Sequence, residues 1–155
     1  MKFKKKNYTQ QVDEMDCGCA ALSMILKSYG TEKSLASLRL LAGTTIEGTS
    51  ALGIKKAGEG LGFVVQVLRA DASLFEMKKV PYHFIAHVIK NQKYPHYYVI
   101  TGANKNSVFI ADPDPTVKMT KLSKLYQNLN CRHTAEKILL TLIMLFYHRD
   151  LLIYS

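Results

Sequence analysis

Cysteine is scarce and unpaired in this chain. Cys17, Cys19 and Cys131 are an odd number with no framework spacing, which argues against a secreted disulfide scaffold and fits a reducing compartment. Acidic residues are also few. Twelve of them against 21 lysines and arginines leave a net charge of +9, so an acidic partner would be drawn in. Much of that excess sits in Lys2, Lys4, Lys5 and Lys6, which read as a solvated tail. No apolar stretch follows these lysines, which excludes a signal peptide. The apolar run from Ile138 to Tyr147 is broken by His148-Arg149-Asp150 and is too short to span a bilayer. These absences point to a cytoplasmic chain without a membrane anchor of its own. There is no basic stripe interleaved with aromatics, no zinc-finger spacing and no phosphate-cradling glycine loop, which leaves nucleic acid out as a partner. Internal repeats and low-complexity tracts are missing too.

What remains is a chain that can bury a core. With 155 residues, 48% hydrophobic and 21% charged, it has the size and balance of one globular domain. From Asp16 to about Gly62 the pattern is helical. Leu22, Ile25, Leu26 and Tyr29 fall on one helix face, with Gly30 where a C-terminal cap belongs. Ser34 is placed to cap a second helix through Leu41, ended by Gly43. Ser50 is placed to cap a third, with Leu52, Ala57 and Leu61 on its apolar side and Gly62 closing it. From Phe63 onward β-branched and aromatic residues dominate. Phe63–Leu68, Tyr82–Ile89, Tyr97–Thr101 and Ser107–Ala111 read as strands, with turns at Asn91-Gln92-Lys93 and Asn104-Lys105-Asn106. Helices first and an antiparallel sheet second is an α+β arrangement.

One segment carries chemistry. Cys17 stands at the start of the first predicted helix, beside unpaired N–H groups and the positive end of the helix dipole. That setting favours the thiolate needed for attack on a carbonyl. Gly18 would let a substrate backbone approach closely. Cys19 falls on another side of the helix and reads as packing. His96 and Asp112 each lie eight residues from Asn104, so a hairpin centred there sets them opposite one another, roughly 5 Å apart at Cα. A carboxylate there would hold the imidazole tautomer and favour the imidazolium. Gln10 and Gln11 both offer an amide donor toward an oxyanion, and residue chemistry alone does not choose between them. His83 and His87 share a strand face and could join Cys17 and Cys19 as ligands. C-x-C without a second cysteine pair is weak zinc evidence, so no metal is assigned.

These residues carry a family resemblance. The block Gln11-Val12-Asp13-Glu14-Met15-Asp16-Cys17-Gly18 is its most specific part. Ala20-Ala21-Leu22, Met24-Ile25, Tyr29-Gly30, Phe84-Ile85-Ala86-His87-Val88, His96-Tyr97 and Asp112-Pro113 extend it over about residues 7 to 120. The chain resembles the C39 peptidases, N-terminal domains of bacterial ABC transporters that export bacteriocins and competence peptides. The resemblance implies a papain-like fold, with Cys17 as nucleophile, His96 as general base and acid, Asp112 as orienting carboxylate and Gln11 as oxyanion donor. It implies cleavage after a Gly-Gly pair that ends the leader of a precursor peptide, without a cofactor. The leader would bind as an amphipathic helix. Transmembrane and ATP-binding domains of a full-length transporter would be the other partners, placing the domain at the inner face of the cell membrane. A degenerate, non-catalytic leader-docking domain is the alternative. Relatives of that kind lack the nucleophile, which is present here.

Residues 1–122 are assigned to the peptidase-like domain, with a helical half at about 16–62 and a sheet half at about 63–122. Residues 123–155 form a divergent tail. Two departures stand out: Cys19 occupies a position where the family more often has a plain apolar residue, and the chain has no Trp where the family usually has a Trp-containing strand. The tail reads either as a change of reading frame or artefact, or as an apolar strand that completes the sheet.

Overall fold

The computed structural model describes residues 3–90, 93–123 and 142–148. Three helices, α1 (Cys17–Ser28), α2 (Leu35–Ala42) and α3 (Ala51–Gly60), precede strands β1 (Phe63–Leu68), β2 (Phe84–Lys90), β3 (Tyr94–Ala103), β4 (Ser107–Ala111), β5 (Met119–Ser123) and β6 (Leu142–His148). The strands form one antiparallel sheet in the order β1-β6-β2-β3-β4-β5.

Local chemistry sets the helix ends. A single 3₁₀ turn (Glu14–Asp16) leads directly into α1. Its Asp13 and Asp16 form a reciprocal capping box that satisfies backbone N–H groups ahead of Cys17. Arg39 of α2 pairs with both carboxylates. Ser34 and Ser50 cap α2 and α3 through the N–H groups of Ser37 and Gly53, as their positions predict. Gly43 closes α2 with φ +61°, a left-handed conformation that suits glycine.

α1 is buried from Cys17 to Leu26, between α2, α3 and the sheet. Leu22, Met24, Ile25 and Leu26 are fully buried there, each contributing roughly 1.5–3 kcal/mol against the ~1 kcal/mol of a cap, so packing dominates. In α3 one expectation fails. Leu52 is 58% exposed, and the inward face is Ile54, Ala57 and Gly58. Two glycines of α3 have a packing reason: a Cβ on Gly53 would lie 2.1 Å from the Ala42 carbonyl oxygen, where α2 abuts α3, and one on Gly58 would lie 2.8 Å from Val65.

The sheet separates two cores. Ile85, Tyr97, Val99, Ala111, Met144 and Phe146 pack toward the helices. Phe84, Ala86, Val88, Tyr98, Ile100 and Ile110 form the other core with Phe75, from a 3₁₀ segment (Ala72–Glu76). β1 and β4 match the predicted strands residue for residue. β2 begins later, at Phe84, and β3 is longer at both ends. β5 was not anticipated. Its sequence, Met-Thr-Lys-Leu-Ser, suits a sheet edge, where pairing with β4 supplies the order that apolar periodicity does not. Within the tail, Leu142–His148, which takes in the end of the apolar run, forms β6, seated between β1 and β2. Of the two predicted turns, Asn104–Asn106 is built around the Asn104 side chain, which accepts from the N–H groups of Asn106 and Ser107. Asn91 and Gln92 lie outside the described residues, as does Cys131.

Candidate active site

Cys17 is the first residue of α1, buried at 8% exposure where the helix N-terminus meets β3. His96 near the start of β3 and Asp112 just after β4 are also buried. His96 Nε2 and Asp112 Oδ1 are 2.7 Å apart. The carboxylate accepts the Nε2 proton, which leaves Nδ1 as the basic nitrogen of the neutral ring. Cys17 lines the same cleft as this imidazole, and its charge favours the imidazolium.

The pair meets by a different register from the one expected. β3 and β4 pair Val99 with Ala111, and a bulge lies between Ile100 and Gly102. Continuing that ladder sets Asp112 opposite Tyr98, so His96 and Asp112 stand diagonally, two positions apart. The hairpin is centred later than Asn104, beyond the Ala103–Val108 pair. An offset of two keeps both side chains on one face, whereas an offset of one would have separated them.

Burial works against a charged His96, yet its hydrogen bond to Asp112 and the charges of Asp112 and Cys17 outweigh it, raising the imidazole to about 9. His87 of β2 faces the ring of Tyr97, with centroids 4.6 Å apart, and is pushed down by burial and by the charge of His96. Burial, then the charge of Cys17, pushes the Tyr97 phenol up to about 12.

Gln11, Cys17, His87, Lys90, His96 and Tyr97 line one open cleft of ≈ 980 Å³, whose opposite wall is the loop from Gly43 to Ala51. Gln11 is half-buried, and its N–H donates to the Pro113 carbonyl at 2.9 Å, tying it to the turn that follows Asp112. Its carboxamide oxygen is buried with no partner among the described residues. Gln10 is exposed, so geometry separates the two glutamines.

Two sequence expectations change. Gly18 is not an approach path for substrate. A Cβ there would lie 3.0 Å from Thr49 and Ile54 and 3.3 Å from Tyr97, so the glycine lets α1 seat against its own domain. The four possible metal ligands do not gather. Cys19 contacts the Thr44 and Thr49 hydroxyls, and His83 packs edge-on against Phe3. Among the described residues no group of three or more His, Cys, Asp or Glu is arranged to hold a metal. Sequence reasoning missed Arg39, which anchors the cap ahead of Cys17. The spacing Asp13-x-x-Asp16 was the available signal, because a buried Asp16 needs a cation.

Against known proteins, the model for the Peptidase C39 family matches residues 5–138. The chain belongs to this family. As a C39 domain it is a cysteine peptidase with a papain-like fold. It is 98% identical over 124 residues to the lactococcin transport/processing ATP-binding protein LcnC-like of Lactococcus lactis, covering 80% of this chain and 17% of that protein. The transport/processing ATP-binding protein ComA of Streptococcus pneumoniae is 51% identical over 124 residues, with the same shares. The crystal structure of the peptidase domain of Streptococcus ComA, a bi-functional ABC transporter involved in a quorum sensing pathway, superimposes with a TM-score of 0.81. It is 38% identical and covers 91% of this chain and 97% of that one. The C39 chain thus spans 17% of the length of these full-length relatives. Among the described residues, no helix is long and apolar enough to cross a membrane.

Proposed function

We propose that this C39 domain cuts the leader from a secreted precursor peptide, a bacteriocin or a competence or quorum-sensing pheromone, after a Gly-Gly pair. It does so on the cytoplasmic side of the membrane, joined in a longer protein to transmembrane and ATP-binding domains that export the product. The observation that carries the chemistry is the 2.7 Å hydrogen bond that His96 Nε2 donates to Asp112 Oδ1, on a ring that lines the same cleft as Cys17.

The reaction follows from the tautomer. The Cys17 proton passes to His96 Nδ1, and Asp112 stabilises the imidazolium. The thiolate attacks the carbonyl carbon of the second glycine. The Gln11 amide and the Cys17 backbone N–H donate to the oxyanion. His96 then gives its proton to the departing amine, leaving a thioester to the leader. A water that loses its proton to His96 hydrolyses the thioester and restores the thiol. No cofactor enters these steps, so chelation or ATP depletion leaves cleavage by this domain unchanged.

Exposed apolar residues flank the cleft. Ile46 lies in the loop that forms its wall, and Leu52 follows that loop in the first turn of α3. Both suit the apolar face of an amphipathic leader, and the surplus of basic residues suits acidic leader side chains. Ile46→Asp/Leu52→Asp is expected to raise KM about tenfold with kcat unchanged, since the contact serves substrate and transition state alike.

The pH dependence has a defined sign. His96 is raised above its ordinary 6.5, so its proton is held through neutrality and lost as pH rises through about 9. kcat/KM should therefore fall on the alkaline side with a midpoint near 9. The stability this ion pair contributes is complete below about 6.5 and disappears over the same rise. The decisive test is a synthetic precursor with Gly-Gly before the scissile bond beside an Ala-Ala version. Mass spectrometry should find a single cut after Gly-Gly, and equal cutting of Ala-Ala would refute the proposed specificity.

A further inference from the structure

Lys90 has no part in the reaction above, yet it is bound to it. It ends β2, and β3 with its His96 lies between β2 and β4 in the sheet. The Lys90 ammonium nevertheless reaches Asp112 Oδ2 at 3.4 Å and Asp114 Oδ2 at 3.3 Å, both beyond the end of β4. It therefore crosses the start of the strand that bears the imidazole. The Asp114 N–H also donates to Asp112 Oδ1 at 2.9 Å, so the two carboxylates belong to one tight turn. Left alone, two such neighbours repel, and Asp112 is the one bonded to the imidazole. Asp112 is buried, which makes an unbalanced second anion more costly still.

We propose that Lys90 is a positioning residue: bridging Asp112 and Asp114 across β3, it fixes the orienting carboxylate and balances its neighbour, so that one net negative charge faces His96. The titratable groups around that ring are Cys17 from α1, His87 and Lys90 from β2, Tyr98 from β3, Asp112 and Asp114 after β4, and Tyr8, which feels both aspartates. Lys90 is the cation among these side chains at neutral pH. Burial opposes its charge, but Asp112 and Asp114 more than restore it. Without Lys90 the imidazolium would be over-stabilised and a poorer acid toward the departing amine.

The rate test rests on the proposed peptidase reaction, so a second readout is independent of substrate: the pH dependence of Cys17 alkylation by iodoacetamide. Lys90→Met is expected to move the alkaline inflection of alkylation upward by about half a unit or more. On a Gly-Gly peptide it should lower kcat about fivefold with KM unchanged. Lys90→Arg, which keeps the charge, should restore both. An inflection in Lys90→Met that stays put or moves down overturns the inference, as does a change confined to KM, which would make Lys90 a substrate contact. If wild type cuts no Gly-Gly peptide but the inflection still rises, the cleavage reading fails while the role of Lys90 stands.

Discussion

Cys17→Ala is expected to reduce cleavage of a Gly-Gly leader peptide to background while leaving affinity for the uncut peptide within about twofold. The sulfur is the one atom of the site that forms a bond to substrate, so no neighbour substitutes for it. Cys17 is buried among apolar side chains, and Ala removes only the sulfur without adding bulk. α1 is anchored by Leu22, Met24, Ile25 and Leu26 and should keep its place. Product analysis by mass spectrometry, with binding followed by fluorescence anisotropy, separates the two effects. Cleavage surviving in Cys17→Ala would rule out covalent catalysis by this thiol. A wild type that binds leader but never cuts it would leave the docking-domain alternative.

Gln11→Ala should lower kcat by about 10²–10³ with little change in KM, the loss associated with removing one oxyanion donor. The backbone of Gln11 is held by its N–H bond to Pro113, which an alanine retains, so the loss can be ascribed to the amide. Gln10→Ala serves as the control, because its side chain is exposed and outside the cleft. Equal losses from both substitutions would mean that the wrong glutamine has been assigned. Loss through KM alone would make Gln11 a ground-state contact rather than a donor to the tetrahedral intermediate.

Much of this was legible in the sequence because it rests on local chemistry. Ser34, Ser50 and Gly43 mark helix ends by properties that act within a turn, and they did so correctly. The approach of His96 to Asp112 was legible only in outcome. Their shared face survived an error of two positions, while the bulge near Thr101 that contributes to it has no clear residue signature. Residue chemistry left Gln10 and Gln11 equal and the family resemblance favoured Gln11; their difference in exposure comes from a fold that ties Gln11 to Pro113, distant in the chain. Leu52 misled because apolar character normally predicts burial, and here it is exposed, next in the chain to the cleft-lining Ala51. Lys90 was invisible and Arg39 signalled only through its partners Asp13 and Asp16, for a related reason: a lysine or arginine acquires meaning only when folding brings a buried carboxylate to it.

The position of β6 has a consequence for biosynthesis. Among the described residues β1 is joined to the remaining strands through β6 alone, with Phe63 pairing to His148 and Leu68 to Ile143. A ribosome therefore releases β1 and β2 long before the segment that belongs between them. Until it arrives, the nascent chain presents two unsatisfied strand edges flanking an open slot, a shape that invites foreign strands. Closure of the sheet, and with it the backing of α1, waits on a segment far downstream of β2 in the chain.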